Sequence, residues 1–147
     1  MSVYTSHRKI SSLKYIQAAI NTRKMTILVT KKFPKSYRWG LVNKILEMVQ
    51  DVVINCTKAD AIQIHIIKDF YQRRKYLTEA YSQLNALKEE ITFCYNLIDE
   101  GNNFFKSKED YTKKFMNWEE SVILTMRLIK GIINKDFKKW SKIFALN

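Results

Sequence analysis

Apolar residues recur at intervals of three and four along most of this chain, and that spacing places them on one face of an α-helix. The most regular stretch predicts a helix from about Phe70 to Ile98. Gly101, followed by Asn102 and Asn103, predicts its end, because these residues tolerate the backbone conformation that closes helices. The apolar positions of this helix are Tyr76 or Leu77, Ala80, Leu84, Leu87, Ile91, Cys94 and Ile98.

A second regular stretch predicts a helix from about Lys108 to Lys135 or beyond. Ser107 and Asp110 are spaced like the two residues of a capping box, in which side chains satisfy the free amides of the first turn. We expect Phe137 and Trp140 to extend the apolar stripe in a short tail. The stripe itself consists of Tyr111, Phe115, Trp118, Val122, Met126, Ile129 and Ile133.

The N-terminal part of the chain predicts a first helix from about Ser12 to Lys31, capped by Ser11 or Ser12. Pro34 favours extended backbone at Phe33 and so helps to end this helix. The apolar stripe expected to face the core consists of Leu13, Ile16, Ile20, Ile27 and Leu28.

Ser36 is the predicted cap of a second helix. This helix has a broad apolar face, which predicts contact with more than one neighbouring helix. Its apolar positions are Trp39, Val42, Leu46, Val49, Val53 and Cys56, widened by Leu41, Ile45 and Val52.

The stretch from Ala61 to Ile67 alternates apolar and polar residues like a strand. A single strand has no partner for its backbone groups, so we interpret this stretch as the end of the second helix and a connector, with a break near Lys68 and Asp69. The chain has only three Gly and one Pro, which favours long helices over folds with many tight turns. The predicted fold is all-α, an antiparallel up-down four-helix bundle, with residues 1–10 as a basic N-terminal arm and residues 11–147 as a single domain.

The formal net charge of +12 is distributed unevenly. Residues 1–46 contain no acid, and Glu47 is the first. Like charge at this density repels itself unless a polyanion offsets it, and the usual polyanions are nucleic acid and anionic lipid. The alternative is a surface charge that only keeps the protein in solution. The ten basic residues of this segment are Arg8, Lys9, Lys14, Arg23, Lys24, Lys31, Lys32, Lys35, Arg38 and Lys44.

No constellation of residues in the sequence requires catalysis, a metal or a cofactor. The chain has no Gly-rich phosphate loop, nucleophile elbow or paired-cysteine motif, and His7 and His65 do not form a metal-ligand spacing. Adjacent acids such as Glu89 and Glu90 diverge on a helix and do not converge on one substrate atom. We therefore predict a protein that is not an enzyme, although an enzyme without a recognisable motif stays open.

Cys56 and Cys94 are expected to be buried free thiols, because each lies among apolar residues at helical spacing, although a single disulfide stays open. The N-terminus has no apolar segment of the signal-peptide type. No apolar run approaches the roughly 20 residues that span a bilayer. These features predict a soluble, cytoplasmic protein.

Two segments, residues 33–39 (FPKSYRW) and residues 73–76 (RRKY), combine cations with aromatic residues. Arg and Lys near phosphates release counterions, and aromatic rings beside them can stack on bases. The alternative for Tyr37 and Trp39 is packing against the end of the bundle. The predicted nucleic-acid-binding residues are Arg23, Lys24, Lys31, Lys35, Arg38, Arg73, Arg74 and Lys75.

The order and spacing of these motifs resemble the Avd-like four-helix-bundle family. Residues 33–41 (FPKSYRWGL), followed by Asn43, Lys44 and Ile45, resemble the start of that family's second helix. Residues 73–76, with Ala80 and Leu84 after them, resemble its third-helix signature, and the opening MSVY is similar to that of some members. The resemblance covers residues 1–98 well and the fourth helix only in general character. The stretch 62–67 departs from it by being more apolar.

The family includes accessory proteins of diversity-generating retroelements and proteins encoded in intervening sequences of bacterial large-subunit ribosomal RNA genes. The resemblance implies a ring-like homopentamer that binds nucleic acid, either template RNA or the RNA–cDNA hybrid, together with a reverse transcriptase. It implies a role in mutagenic retrohoming, in which the partner enzyme copies a template RNA with adenine errors.

Three alternatives to the retroelement role remain. One is a protein-interaction scaffold, and another is an intervening-sequence protein with no reverse transcriptase partner. Binding to a membrane surface is disfavoured, because no helix opposes a Lys-rich face to a face rich in Trp and Leu.

Overall fold

The computed structural model describes residues 10–101 and 105–146, and it consists of four α-helices. The helices are α1 (Ile10–Thr30), α2 (Asn43–Ala61), α3 (Ile67–Gly101) and α4 (Lys108–Ile143). Each of α1 and α3 packs against both α2 and α4, so the four helices enclose one core. The predicted four-helix bundle is confirmed, and the stretch after Ala61 is a connector to α3 rather than a strand. The predicted arm lies, apart from Ile10, outside the described residues, as do Asn102 and Asn103.

Hydrogen bonds between neighbouring helices show that they run in opposite directions. Thr22 of α1 bonds to Ser121 of α4, whereas Thr26, one turn later in α1, bonds to Trp118, which comes earlier in α4. Tyr15, near the start of α1, bonds to the carbonyl of a residue near the end of α2. The same reversal relates the remaining neighbours, through bonds between Asn55 and Gln83, Ala59 and Arg73, Tyr95 and Thr112, and Arg73 and Asp136.

The cores of α3 and α4 follow the predicted stripes closely. The two cysteines are buried free thiols, as expected. In α3, Leu77 rather than Tyr76 is buried, and in α4 Met126 and Ile133 are only partly buried. The fully or nearly fully buried positions of these helices include Ala80, Leu84, Leu87, Ile91, Cys94, Ile98, Tyr111, Phe115, Trp118, Val122 and Ile129.

The buried face of α1 contradicts the apolar stripe predicted for it. Ile27 and Leu28 were expected in the core, but their side chains are 45% and 56% exposed. Ile16 packs against the core only partly, and the side chain of Leu13 lies outside the described part. The residues of α1 that are buried are Tyr15, Ala19, Thr22, Thr26, Val29 and Thr30.

Threonine suits the buried face of α1 because its hydroxyl finds partners inside the bundle. Thr26 Oγ1 donates to the carbonyl oxygen of Thr22 over 2.7 Å and accepts a hydrogen bond of 2.8 Å from Trp118 Nε1. Thr22 Oγ1 donates to the carbonyl oxygen of Ser121 over 3.1 Å. Burial of a hydroxyl is costly only when it lacks such a partner. The polar seam between α1 and α4 is therefore compatible with a stable core.

Side chains cap the two C-terminal helices. The amide of Asp110 donates to Ser107 Oγ over 3.2 Å, which confirms the predicted cap of α4. The Asp69 carboxylate accepts hydrogen bonds from the amides of His65 and Ile66 at the start of α3, over 3.0 and 3.1 Å. These two bonds lower the pKa of the Asp69 carboxyl.

The caps predicted for the two N-terminal helices are wrong. α1 begins at Ile10, so Ser11 and Ser12 lie inside it rather than before it. Ser36 lies within a 3₁₀ turn, Lys35–Tyr37, and the turns that open the second helical segment have no side-chain cap. Among the described residues, no helix is long and apolar enough to cross a membrane.

Candidate nucleic-acid interface

The corner between α1 and α2 is built on one buried ring. Phe33 packs against Phe105 and Phe115 of the opposite side of the bundle, with ring centroids 6.3 and 6.4 Å apart. Pro34 has extended backbone, with φ −57° and ψ 150°, and turns the chain towards α2. Tyr37 also packs here, with its ring edge-on to Phe33 at 6.4 Å. The aromatic residues Phe33 and Tyr37 therefore anchor the corner from inside.

Four exposed cations surround this anchored corner. We call Lys31, Lys32, Lys35 and Arg38 the basic corner. Lys31 and Arg38 line a common groove of about 330 Å³ with Ile27, Pro34 and Leu46. Within the part of the chain that the structure describes, none of the four cations forms an ion pair. Their charge is thus directed to solvent, where it is available to an anionic ligand.

Trp39 belongs to the same corner but does not pack as the sequence predicted. Its side chain is 81% exposed, although the stripe of α2 was expected to carry it into the core. The reason is the backbone of residues Arg38–Val42, which forms one π-helical turn with a hydrogen bond from Asn43 N to Arg38 O. A π turn contains more residues than an α turn. It therefore rotates Trp39 away from the apolar face on which Ile45 lies.

Arg73 lies inside the bundle end rather than on its surface. Its Nε donates to Asp136 Oδ2 over 2.6 Å, and its Nη1 donates to the carbonyl oxygen of Ala59 over 3.0 Å. Only 13% of its side-chain surface is exposed. The binding role predicted for Arg73 stays a prediction, but its geometry favours a structural one.

The neighbours of Arg73 are exposed and face a second basic surface. The Arg74 guanidinium lies over the ring of Phe137, 5.7 Å from its centroid. Arg74, Lys135 and Lys138 line a groove of about 610 Å³ between α3 and α4, together with Ile133, Asn134 and Phe137. We call this set of residues the α3–α4 groove. Lys75, the residue after Arg74, is also exposed.

The sequence reasoning missed the cations of the last part of α4. Lys130 lies 5.8 Å from the ring centroid of Tyr81, and Lys139 lies 4.8 Å from that of Trp140. A signal was present in the sequence, because Asp136 is the only acid after Glu120. The basic residues of that segment are Arg127, Lys130, Lys135, Lys138, Lys139 and Lys142.

The structure does not bring the predicted site residues together into one continuous basic surface. Lys24 is exposed on α1, about two turns before Lys31, and the adjacent Arg23 is half-buried. Arg74 and Lys75 lie at the opposite end, about 25 Å away along the bundle axis. Of the predicted residues, the basic corner therefore contains Lys31, Lys35 and Arg38, and the α3–α4 groove contains Arg74. The other four, Arg23, Lys24, Arg73 and Lys75, belong to neither surface.

The described residues contain neither a cluster of metal ligands nor an ionised thiol. No group of three or more His, Cys, Asp or Glu residues within them could hold a metal ion. Burial raises the pKa of the Cys56 thiol and of the Cys94 thiol to about 12, so neither is ionised near neutral pH. A protonated, buried thiol is a poor nucleophile.

The chain was compared with protein-family models, curated proteins and solved structures, and none of them matches it. The resemblance to the Avd-like family therefore rests on the motifs of residues 33–45 and 73–84 and on the opening MSVY.

Proposed function

We propose that this chain is a non-enzymatic accessory protein that binds nucleic acid, and that it serves a diversity-generating retroelement together with a reverse transcriptase. The observation that carries the nucleic-acid part is the basic corner. There Lys31 and Arg38 line one groove, and these two residues and the exposed Lys35 form no ion pair within the described part of the chain. The retroelement part is supported by the motif resemblance.

Counterion release explains why such a corner favours nucleic acid. Phosphates hold condensed cations, and a lysine or arginine that replaces them gains their entropy of release. The buried ring of Phe33 holds the backbone of the basic corner in place, so mainly the exposed side chains lose freedom on binding. A ring of several copies, as the resemblance implies, would multiply weak contacts.

An apolar surface on the same molecule supports a protein partner. Ile66, Ile67 and Tyr71 are exposed at the end of the connector and the start of α3, with 57%, 41% and 52% of their surfaces accessible. Exposed apolar groups in one region are typical of protein contacts. This end of α3 is where we propose contact with the reverse transcriptase or with further copies of the chain.

Binding to a fluorescent single-stranded RNA, followed by anisotropy, tests the nucleic-acid part. We expect the affinity to fall steeply between about 50 and 200 mM salt. Lys31→Glu combined with Arg38→Glu should weaken binding and reduce the salt slope by about one to two units. Lys88→Glu is the control, because Lys88 lies midway along α3 and belongs to neither the basic corner nor the α3–α4 groove.

A flat salt response, or no binding at low ionic strength, would refute nucleic-acid binding and favour the protein-interaction scaffold. The retroelement part has a separate test. Co-purification with a reverse transcriptase encoded beside this chain would support it, and the absence of such a gene would favour the intervening-sequence alternative. Light scattering measures the number of copies.

A further inference from the structure

Trp39 is the most exposed of the large apolar side chains in the described part of the chain, at 81%. A tryptophan is usually well buried, because exposing its large ring to water costs free energy. Here the π turn Arg38–Val42 holds the ring outward. Single π turns inside helices are frequent at functional sites. The backbone thus presents this indole to a ligand.

Gly40 is equally unexplained within the monomer. A Cβ atom added at Gly40 would meet no other atom within 4 Å, and its φ is not positive. Neither crowding nor backbone geometry requires glycine, although glycine is unfavourable in a helical turn. Its effect is to leave bare backbone beside the indole. A ligand lying on Trp39 can therefore approach the chain closely.

The charges around Trp39 define the chemistry of that ligand. Lys35 lies one helical turn before Trp39, Arg38 is adjacent to it, and both are exposed. The first 46 residues contain no acid at all. Two copies that faced each other through this corner would bring like charges together and would repel each other. A ligand that combines negative charge with a flat aromatic surface fits both the cations and the indole.

We propose that Trp39 is a stacking platform for a base of single-stranded nucleic acid, with the adjoining phosphates held by Lys35 and Arg38. This inference rests on the proposed function and narrows it from nucleic acid in general to single strands. A duplex hides the faces of its bases, whereas a single strand exposes them to aromatic side chains. Gly40 leaves room for the sugar and phosphate beside the stacked base.

The test compares two ligands with the same phosphates. One is an oligothymidylate of about ten nucleotides, and the other is an abasic deoxyribose-phosphate oligomer of equal length. Trp39→Ala should weaken binding of the oligothymidylate about ten-fold and leave that of the abasic oligomer unchanged. Trp39→Phe keeps an aromatic ring and should retain most of the affinity. Gly40→Leu should weaken binding of the oligothymidylate more than binding of the abasic oligomer, because the added side chain fills the space beside the indole.

Tryptophan fluorescence gives an independent reading. Trp118 is fully buried and Trp140 is partly buried, so quenching by the oligothymidylate should come from Trp39 and vanish in Trp39→Phe. Thermal unfolding by circular dichroism checks that each variant is folded.

The outcomes separate this inference from the proposed function. If the wild type binds both oligomers and Trp39→Ala binds each of them as tightly as the wild type does, the stacking platform is overturned while nucleic-acid binding stands. If the wild type binds neither oligomer at low salt, both fail. If Trp39→Ala lowers the mass measured by light scattering at unchanged affinity, the indole contacts a second copy and the platform is again overturned.

Discussion

The Nε atom of Arg73 lies 2.6 Å from Oδ2 of Asp136, and this ion pair joins the start of α3 to the end of α4. Arg73 also bonds to the carbonyl of Ala59, so one guanidinium ties three helices at one end of the bundle. Both charged side chains are largely withdrawn from water, with 13% and 18% of their surfaces exposed. Removing one partner leaves the other charge without compensation.

Arg73→Met should therefore lower the free energy of unfolding by about 2 kcal/mol, because a partly buried carboxylate and a carbonyl both lose a donor. Urea denaturation measures this loss. Arg74→Met is the matched control, since Arg74 is exposed and adjacent. We expect it to weaken nucleic-acid binding and to leave stability nearly unchanged. The opposite pattern, with Arg73 essential for binding alone, would show that its internal contacts are incidental.

The polar seam between α1 and α4 predicts a difference between two threonines. Thr26→Val removes the acceptor of the Trp118 indole N–H, which is then buried without a partner, and should cost about 1–3 kcal/mol. Thr30→Val removes only a bond to the carbonyl of Thr26 and should cost less. Urea denaturation of both variants measures the difference. Equal losses would mean that the indole hydrogen bond contributes nothing measurable.

The hydrogen bond between Tyr111 and Asp99 predicts that the stability of the protein depends on pH. The Tyr111 hydroxyl donates to Asp99 Oδ1 over 2.6 Å. That bond, with a smaller contribution from Lys108, lowers the pKa of Asp99. The same bond, with burial adding to it, raises the pKa of Tyr111 to about 12.

The lowered carboxyl pKa adds stability above pH ~4, which is lost as the pH falls through the folded-state pKa of Asp99. The raised phenol pKa adds stability below pH ~10, which is lost as the pH rises towards 12. Tyr111→Phe removes the phenol and its bond to Asp99, and leaves only the smaller contribution of Lys108 to the carboxyl pKa. The Tm difference between wild type and this variant should be largest between pH ~5 and ~9 and shrink on either side. A difference that does not vary with pH would contradict the bond.

The two cysteines should be chemically silent in the folded protein. Both side chains are fully buried, and burial raises both thiol pKa values to about 12. Neither should react with a thiol reagent at pH ~8 until denaturant is added. Ser82→Cys, at an exposed position of α3, supplies a reactive control. Rapid labelling of the unmodified chain under native conditions would contradict the packing of α2 and α3.

Periodicity predicted α3 and α4 well because their cores are made of apolar side chains. Leu84, Leu87 and Ile91 recur at spacings that only a helix explains, and all three are buried. The cap at Ser107 was equally visible, since its bond is local. Where the stabilising contacts are local or simply apolar, a single sequence is sufficient to predict the helix and its cap.

The remaining positions depend on partners far away in the chain. Thr26 is buried because Trp118, 92 residues later, bonds to it, and no local pattern announces this. Arg73 looked like a surface cation because Asp136 lies 63 residues away. Trp39 fell on the predicted apolar stripe because a π turn cannot be foreseen from spacing. The candidate site was therefore predicted in its residue types but not in its geometry.

The separation of the basic corner from the α3–α4 groove has a consequence for long ligands. The two surfaces lie at opposite ends of the bundle and on different helix pairs, so a short oligonucleotide engages one of them at a time. By contrast, one protein molecule can bind a long strand at two distant places along it, or it can bind two different strands at once. Under the proposed function, a long RNA would fold back on itself and become compact when protein is scarce. When protein is in excess, separate protein molecules would coat the RNA.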